Sequence, residues 1–176
     1  MDPGKPLVTR TQRLFLALWP DAGVREQLVA HANQWTWPTG CVRYRPADWH
    51  VTLHFIGDVG GDRVEGIAAS ADMPCQPFEL VLDQTGLWPH GLAVLRATEV
   101  PIPLQALYDR LGQELRALDL AVETRSYQPH VTLARNADAA IPPTASAPVV
   151  WRVQSFALVV STGDRNQRYR VIRQYP

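Results

Sequence analysis

The tetrapeptide His50-Val51-Thr52-Leu53 occurs a second time, unchanged, as His130-Val131-Thr132-Leu133. Both copies lie in apolar segments rich in β-branched residues, which predict β-strands. Side chains alternate across a strand, so the histidine and the threonine of each copy face the same side. Two such strands placed together would surround one small space with two imidazoles and two hydroxyls. The repeat therefore predicts the centre of the fold and a site within it.

The composition indicates one folded domain. The chain has 176 residues, of which 46% are hydrophobic, and this is sufficient for a single core. We expect one domain over residues 1–176, made of two pseudo-repeat lobes at about 13–75 and 76–176, which could exchange strands. The net charge of zero argues against a broad electrostatic surface for duplex nucleic acid. Cys41 and Cys75 do not form a C-x-x-C pattern, so neither a disulfide scaffold nor a zinc–thiolate site is expected.

The apolar segments predict a cytoplasmic protein with no membrane anchor. The longest apolar run, 156–160, has the length of a strand and is far too short to span a bilayer. The first 13 residues lack the apolar core of a signal peptide. We also expect the protein to be a monomer.

Local patterns predict alternating strands and helices. The helix signals begin at Asp21, at about Asp62 and at Pro103, the last with leucines at three- and four-residue spacing. Two hairpins are expected, one joining 78–83 to 92–97 through a long loop and one joining 151–161 to 168–174. The other predicted strands are 13–19, 50–56 and 130–134. Short strands with separate helices predict an α+β fold built on antiparallel sheet.

The paired histidines suit acid–base chemistry at a phosphoester. One imidazole can act as a base and the other as an acid, while threonine hydroxyls donate hydrogen bonds to phosphate oxygens. With unperturbed pKa values near 6.5, one histidine would be neutral and the other protonated around pH 6 to 7. Strand alternation also places His54 on the face of His50 and Thr52, which leaves a zinc site of His50, His54 and His130 as an alternative. The spacing of these three histidines matches no metal motif.

Other side chains near the repeats are candidates for binding substrate. Arg135 directly follows the second copy and could orient a phosphate, whereas the same position also suits a solvated arginine at a strand end. Tyr127, Trp49 and Trp37 could each stack on a base, although packing is the more ordinary role for such residues. There is no glycine-rich phosphate loop and no dinucleotide-binding fingerprint.

The chain resembles the two-histidine phosphoesterase superfamily, in particular its bacterial RNA 2′,3′-cyclic phosphodiesterase branch, also called the 2′-5′ RNA ligase family. The resemblance extends from about Arg13 to Tyr175. It rests on both tetrapeptides, on R-L-F-L-A-L-W-P at 13–20, on H-F-I-G at 54–57 and on P-H-V-T-L-A-R at 129–135. The bulky Trp49 departs from the small aliphatic residue that is common before the first motif histidine.

The resemblance implies a bilobal fold with a pseudo-two-fold axis, helices on the outside and a central cleft. It implies that His50 is the proton donor, that His130 is the proton acceptor, and that Thr52 and Thr132 hold the phosphate. Arg135 would then contact substrate. No cofactor and no metal are implied.

The implied activity is hydrolysis of a 2′,3′-cyclic phosphate to a 2′-phosphomonoester, with 2′-5′ RNA ligation as a related reversible reaction. The expected partners are RNA with 2′,3′-cyclic phosphate ends or small cyclic nucleotides. Two alternatives stay open. A non-catalytic module could use the same side chains only to bind RNA ends or nucleotide phosphates, and a metal-dependent hydrolase would lose activity in EDTA.

Overall fold

The computed structural model describes residues 10–176, which contain ten strands and three α-helices. The helices are α1 (Ala22–Ala32), α2 (Val64–Ser70) and α3 (Ile102–Ala117). The strands are β1 (Thr11–Leu18), β2 (Val42–Arg43), β3 (Val51–Gly60), β4 (Phe78–Leu82), β5 (Gln84–Trp88), β6 (Leu92–Arg96), β7 (His130–Arg135), β8 (Val149–Val153), β9 (Phe156–Ser161) and β10 (Tyr169–Tyr175). The prediction that the first 13 residues are not a signal peptide concerns mainly residues 1–9, which lie outside the described part.

The strands form two antiparallel sheets, which confirms the predicted α+β fold. The larger sheet has the order β10-β9-β1-β3-β7-β6-β5, and β2 pairs with β7 at its side. The smaller sheet contains β4 and β8. At the centre of the larger sheet the two motif strands, β3 and β7, share the single register pair Val51 and Val131. The two copies of the repeat therefore meet where the two halves of this sheet join.

The predicted helices and the first strand form for local reasons that the sequence shows. Asp21 caps α1, since its Oδ1 accepts a hydrogen bond from the backbone N–H of Val24 at 2.9 Å. The leucines of α3 lie on one face and are buried in the main core, as their spacing predicts. In β1 the residues Leu14–Leu18 are all buried, because the strand lies inside the sheet between β3 and β9. Within residues 10–176, no helix is both long and apolar enough to cross a membrane.

The strand pairing differs from the prediction in two places. The predicted hairpin between 78–83 and 92–97 is wrong, because β4 pairs with β8 in the smaller sheet and β6 pairs instead with β5. The predicted strand 151–161 is two strands, which belong to different sheets. Periodicity identifies an extended segment but not its partner, which long-range packing decides. The hairpin between β9 and β10 is confirmed.

A register shift in β3 corrects the expected direction of His54. Thr52 pairs with Ala17 and His54 pairs with Leu16, so Leu53 is an extra residue in β3. A bulge of this kind interrupts the alternation of side chains along a strand. Leu53 and His54 are both buried on the core side, while Thr52 faces the other side. His54 therefore does not share the face of Thr52.

Candidate active site

One cavity lies where β3 and β7 meet and contains all four motif side chains. Its volume is about 240 Å³. His50 and Thr52 come from β3 and the residue before it, and His130 and Thr132 come from β7. The lining residues are Tyr44, Asp48, His50, Thr52, Leu92, His130, Thr132 and Tyr169. The sequence prediction that the two repeats form one site agrees with this geometry.

The two histidines are held by equivalent backbone contacts. Nδ1 of His50 lies 2.8 Å from the carbonyl oxygen of Asp48, and Nδ1 of His130 lies 2.7 Å from the carbonyl oxygen of Gln128. A carbonyl oxygen can only accept, so each Nδ1 carries the proton and donates it. In the neutral form, each Nε2 is then an unprotonated acceptor. The arrangement leaves one ring nitrogen of each histidine for proton transfer.

Aromatic rings pack around His50 and shield much of its ring from water. The ring of Phe15 lies at a centroid distance of 4.8 Å, that of Tyr169 at 5.3 Å and that of Trp19 at 5.7 Å, the last stacked at an interplanar angle of 15°. This burial lowers the pKa of His50 to about 4, against the opposing effect of the Asp48 carbonyl, which favours the charged ring. The charges of His130 and Arg25 lower the pKa further.

His130 has fewer aromatic neighbours than His50, and its pKa is shifted in the same direction. Its ring lies 4.4 Å from the ring of Trp88, centroid to centroid. Burial lowers the pKa of His130, and the hydrogen bond to the Gln128 carbonyl partly opposes the shift. The expectation of two unperturbed imidazoles is therefore wrong. Both histidines prefer the neutral form in the free protein, because burial of the ring disfavours the charged imidazolium.

The two predicted substrate-binding residues lie outside this cavity. The Tyr127 ring stacks on Tyr108 at 4.1 Å, and its hydroxyl donates a hydrogen bond to the carbonyl oxygen of Thr52 at 3.0 Å. Burial strongly raises the pKa of the Tyr127 hydroxyl. Arg135 is exposed at the end of β7, where it pairs with Val42 of β2. Neither residue is among those that line the cavity, and their contacts with substrate stay predictions.

The structure does not assemble the three histidines of the metal alternative. The Nε2 of His54 donates to the carbonyl oxygen of Tyr108 at 2.7 Å, and its ring stacks on that of Tyr108 at 4.2 Å. His54 instead lines a separate cavity beside α3. In the part of the chain that the structure describes, no three or more His, Cys, Asp or Glu side chains come together as metal ligands.

Sequence reasoning missed four residues of the cavity wall, namely Leu92, Asp48, Tyr44 and Tyr169. Asp48 lies in the short 3₁₀ turn Pro46–Asp48 and forms an ion pair with Arg45, whose Nε lies 3.2 Å from Oδ2 of Asp48. Tyr44 and Tyr169 complete the wall, and the guanidinium of Arg168 lies 5.0 Å from the Tyr44 ring centroid. Asp48 could have been found, because it precedes His50 by two positions as Gln128 precedes His130. The tyrosines carry no such signal in the sequence.

The double sheet, with two matched histidines and two threonines in the cavity at its centre, defines the class of two-histidine phosphoesterases. The family model of the 2′-5′ RNA ligase superfamily matches residues 24–165, and the chain belongs to this superfamily.

Named relatives are similar over most of the chain. The RNA 2′,3′-cyclic phosphodiesterase of Escherichia coli (strain K12) is 30% identical over 173 residues, which cover 96% of this chain and 98% of that protein. A protein of the same name from Methanothermobacter thermautotrophicus is 28% identical over 130 residues, 70% of each chain. The crystal structure of E. coli LigT complexed with 3′-AMP superposes with a TM-score of 0.81 at 25% identity, and the match covers 94% of this chain and 98% of that one.

Proposed function

We propose that this protein is an RNA 2′,3′-cyclic phosphodiesterase, which hydrolyses a 2′,3′-cyclic phosphate to a 2′-phosphomonoester without a metal or cofactor. The observation that carries the proposal is the matched pair of histidines in one cavity, each with Nδ1 bound to a backbone carbonyl and Nε2 left for proton transfer. The names of the relatives support the same activity.

The reaction needs one base, one acid and donors for the phosphate. Nε2 of His130 removes a proton from a water molecule as its oxygen attacks phosphorus. The bond between phosphorus and the ribose 3′ oxygen breaks, and Nε2–H of His50 donates a proton to that oxygen. The hydroxyls of Thr52 and Thr132 donate hydrogen bonds to the non-bridging oxygens, where charge increases in the transition state. The two histidines end with exchanged protonation states, which solvent restores.

The negative charge of the substrate stabilises the imidazolium that burial disfavours. A phosphodiester is an anion, and an anion beside an imidazole raises the pKa of that imidazole. Binding of the cyclic phosphate therefore favours the protonated acid, His50, which the empty cavity holds neutral with a pKa of about 4. This coupling makes the acid available when substrate is present.

The size of the cavity supports RNA ends as substrates. A volume of about 240 Å³ holds a ribose cyclic phosphate but little more of a nucleotide chain. The bases must then contact the surface beside it. Phe55 is 62% exposed, and the alternation that resumes after the bulge turns its ring to the sheet face of Thr52. An exposed aromatic ring there can stack on a base.

We infer that the protein acts on RNA that ends in a 2′,3′-cyclic phosphate. We also infer that it does so as a monomer in the cytoplasm.

The same site supports 2′-5′ ligation as the related reaction. If a ribose 5′-hydroxyl replaces water, its oxygen attacks phosphorus, the 3′ oxygen leaves with the proton of His50, and a 2′-5′ phosphodiester results. Nε2 of His130 accepts the proton that the attacking 5′-hydroxyl loses, so one proton is taken up for each proton that His50 donates.

One incubation tests the proposal against both alternatives. Purified protein is mixed with a 2′,3′-cyclic mononucleotide, and separately with an oligonucleotide that ends in a 2′,3′-cyclic phosphate, each in the presence and in the absence of EDTA. Phosphorus NMR identifies the product. We expect turnover to the 2′-phosphate in both reactions. Binding without turnover would support the non-catalytic module, and activity that disappears in EDTA would support the metal-dependent hydrolase.

A further inference from the structure

The junction between the two motif strands has few direct contacts. The strands β3 and β7 share only the register pair Val51 and Val131, whereas β1 and β3 pair along their whole length. The relative position of the two histidines therefore depends on what else connects β3 with the segment that leads into β7. Every proton transfer in the proposed reaction needs that position to be held.

Tyr127 makes a hydrogen bond across this junction. It precedes His130 by three residues, and its hydroxyl donates to the carbonyl oxygen of Thr52 at 3.0 Å. The bond joins residues 75 positions apart in the sequence. Its acceptor belongs to the residue whose side chain lines the cavity, so the bond fixes one motif with respect to the approach to the other.

The ring of Tyr127 is held by two further rings behind the sheet. It stacks on Tyr108 of α3 at 4.1 Å with an interplanar angle of 13°, and Tyr108 stacks on His54 at 4.2 Å and 16°. Stacked rings with fixed partners leave the Tyr127 hydroxyl little freedom. Burial raises the pKa of that hydroxyl, so it remains a donor throughout the pH range of the reaction.

We propose that Tyr127 is a positioning residue of the phosphodiesterase, which holds Thr52 of the first motif at the correct distance from His130 of the second. The inference rests on the proposed function. Tyr127 acts through the Thr52 backbone rather than through contact with the cyclic phosphate. A displacement of about 1 Å in such a site can cost on the order of 10²-fold in rate.

The test is Tyr127→Phe, which keeps the ring and removes the hydroxyl. We expect kcat for a 2′,3′-cyclic nucleotide to fall by about 5-fold to 50-fold, with KM changed less than about 2-fold, because the loss is one of alignment. The matched control is Tyr108→Phe, which removes a hydroxyl from the same stack on the side of the separate cavity beside α3. This control is expected to keep the wild-type kcat. Circular dichroism melts define a temperature at which all variants are folded, and the rates are measured there.

A double-mutant cycle with Thr52→Ala separates positioning from general damage. If Tyr127 acts through Thr52, Tyr127→Phe will lower kcat much less in the Thr52→Ala background than in the wild-type background. Equal losses in both backgrounds, a wild-type kcat for Tyr127→Phe, or an equal loss in Tyr108→Phe would each overturn the inference while the proposed function stands. A wild-type protein that does not turn over the cyclic nucleotide would instead overturn the proposed function, and this inference with it.

Discussion

The pH dependence of catalysis follows from the burial of the two histidines. The pKa of His50 is lowered to about 4 and that of His130 is lowered below its ordinary value near 6.5. With a pKa of about 4, roughly one molecule in a thousand carries a protonated His50 at pH 7 in the free protein. Whichever histidine is the acid, most of its protonated form is already lost when the pH has risen to 6.5 and no substrate is bound.

The bound anion changes this balance by an amount that Coulomb's law sets. A phosphodiester charge about 5 Å from an imidazolium, at an effective dielectric constant of about 20, stabilises it by roughly 3 kcal/mol, or about 2 pKa units. We therefore expect kcat/KM, which reports the free protein, to decline about tenfold per pH unit above pH 6.5. We expect the corresponding decline of kcat, which reports the complex, to begin about 2 units higher than that of kcat/KM.

The assay is the initial rate of hydrolysis of a 2′,3′-cyclic nucleotide between about pH 5 and pH 9, at constant ionic strength and over a range of substrate concentrations. A plateau of kcat/KM that extends above pH 7 would refute the reasoning, since it would require an acid with a raised pKa in the free protein. If kcat and kcat/KM begin to decline at the same pH, the predicted effect of the substrate charge is refuted.

Three further predictions concern the cavity and its support. Thr52→Ala and Thr132→Ala should each lower kcat/KM by about 10-fold to 100-fold, because a charge-assisted hydrogen bond contributes about 1.5 to 3 kcal/mol. Serine at either position keeps the hydroxyl and should keep most of the wild-type kcat/KM. Serine variants as poor as the alanine variants would show that packing matters instead. Gly91→Ala should lower the free energy of unfolding by more than about 1 kcal/mol in chemical denaturation, because Gly91 has φ +70° and an added Cβ would lie 3.1 Å from the backbone nitrogen of Ala137. Unchanged stability would contradict the strain. Lowering the pH from about 6.5 to about 4 should lower the free energy of unfolding, with a contribution from His50 of as much as about 3 kcal/mol. The reason is that His50 binds a proton more readily in the unfolded chain than in the native one. Denaturation midpoints that stay constant over this pH range would contradict the prediction.

The elements that the sequence predicts well are those decided by local chemistry. The α3 helix follows from leucine spacing, α1 from its Asp21 cap, and the two motif strands from their β-branched residues. The cavity follows from the repeat itself, because two identical strand segments place His50 and His130 alike.

The features that the sequence does not predict depend on distant partners. β4 reads like half of a hairpin, but it pairs with β8, which is far away in the chain. The extra residue at Leu53 is visible only against the register of β1, and it turns His54 away from the cavity. Tyr127 reads as an aromatic residue for stacking on a base, and its bond to Thr52 shows only in three dimensions. Alternation and propensity are local rules, so they do not report bulges or long-range hydrogen bonds.

The central claim is that His50 and His130 form one acid–base pair, and the most direct measurement is kcat for a 2′,3′-cyclic nucleotide in EDTA with His50→Ala, His130→Ala and the double variant. Each single variant should lose about 10² to 10⁴ in kcat, and the double variant much less than the product of the two, because the pair acts in one transition state. A single variant within about tenfold of the wild-type rate, or losses that multiply in full, would contradict the account.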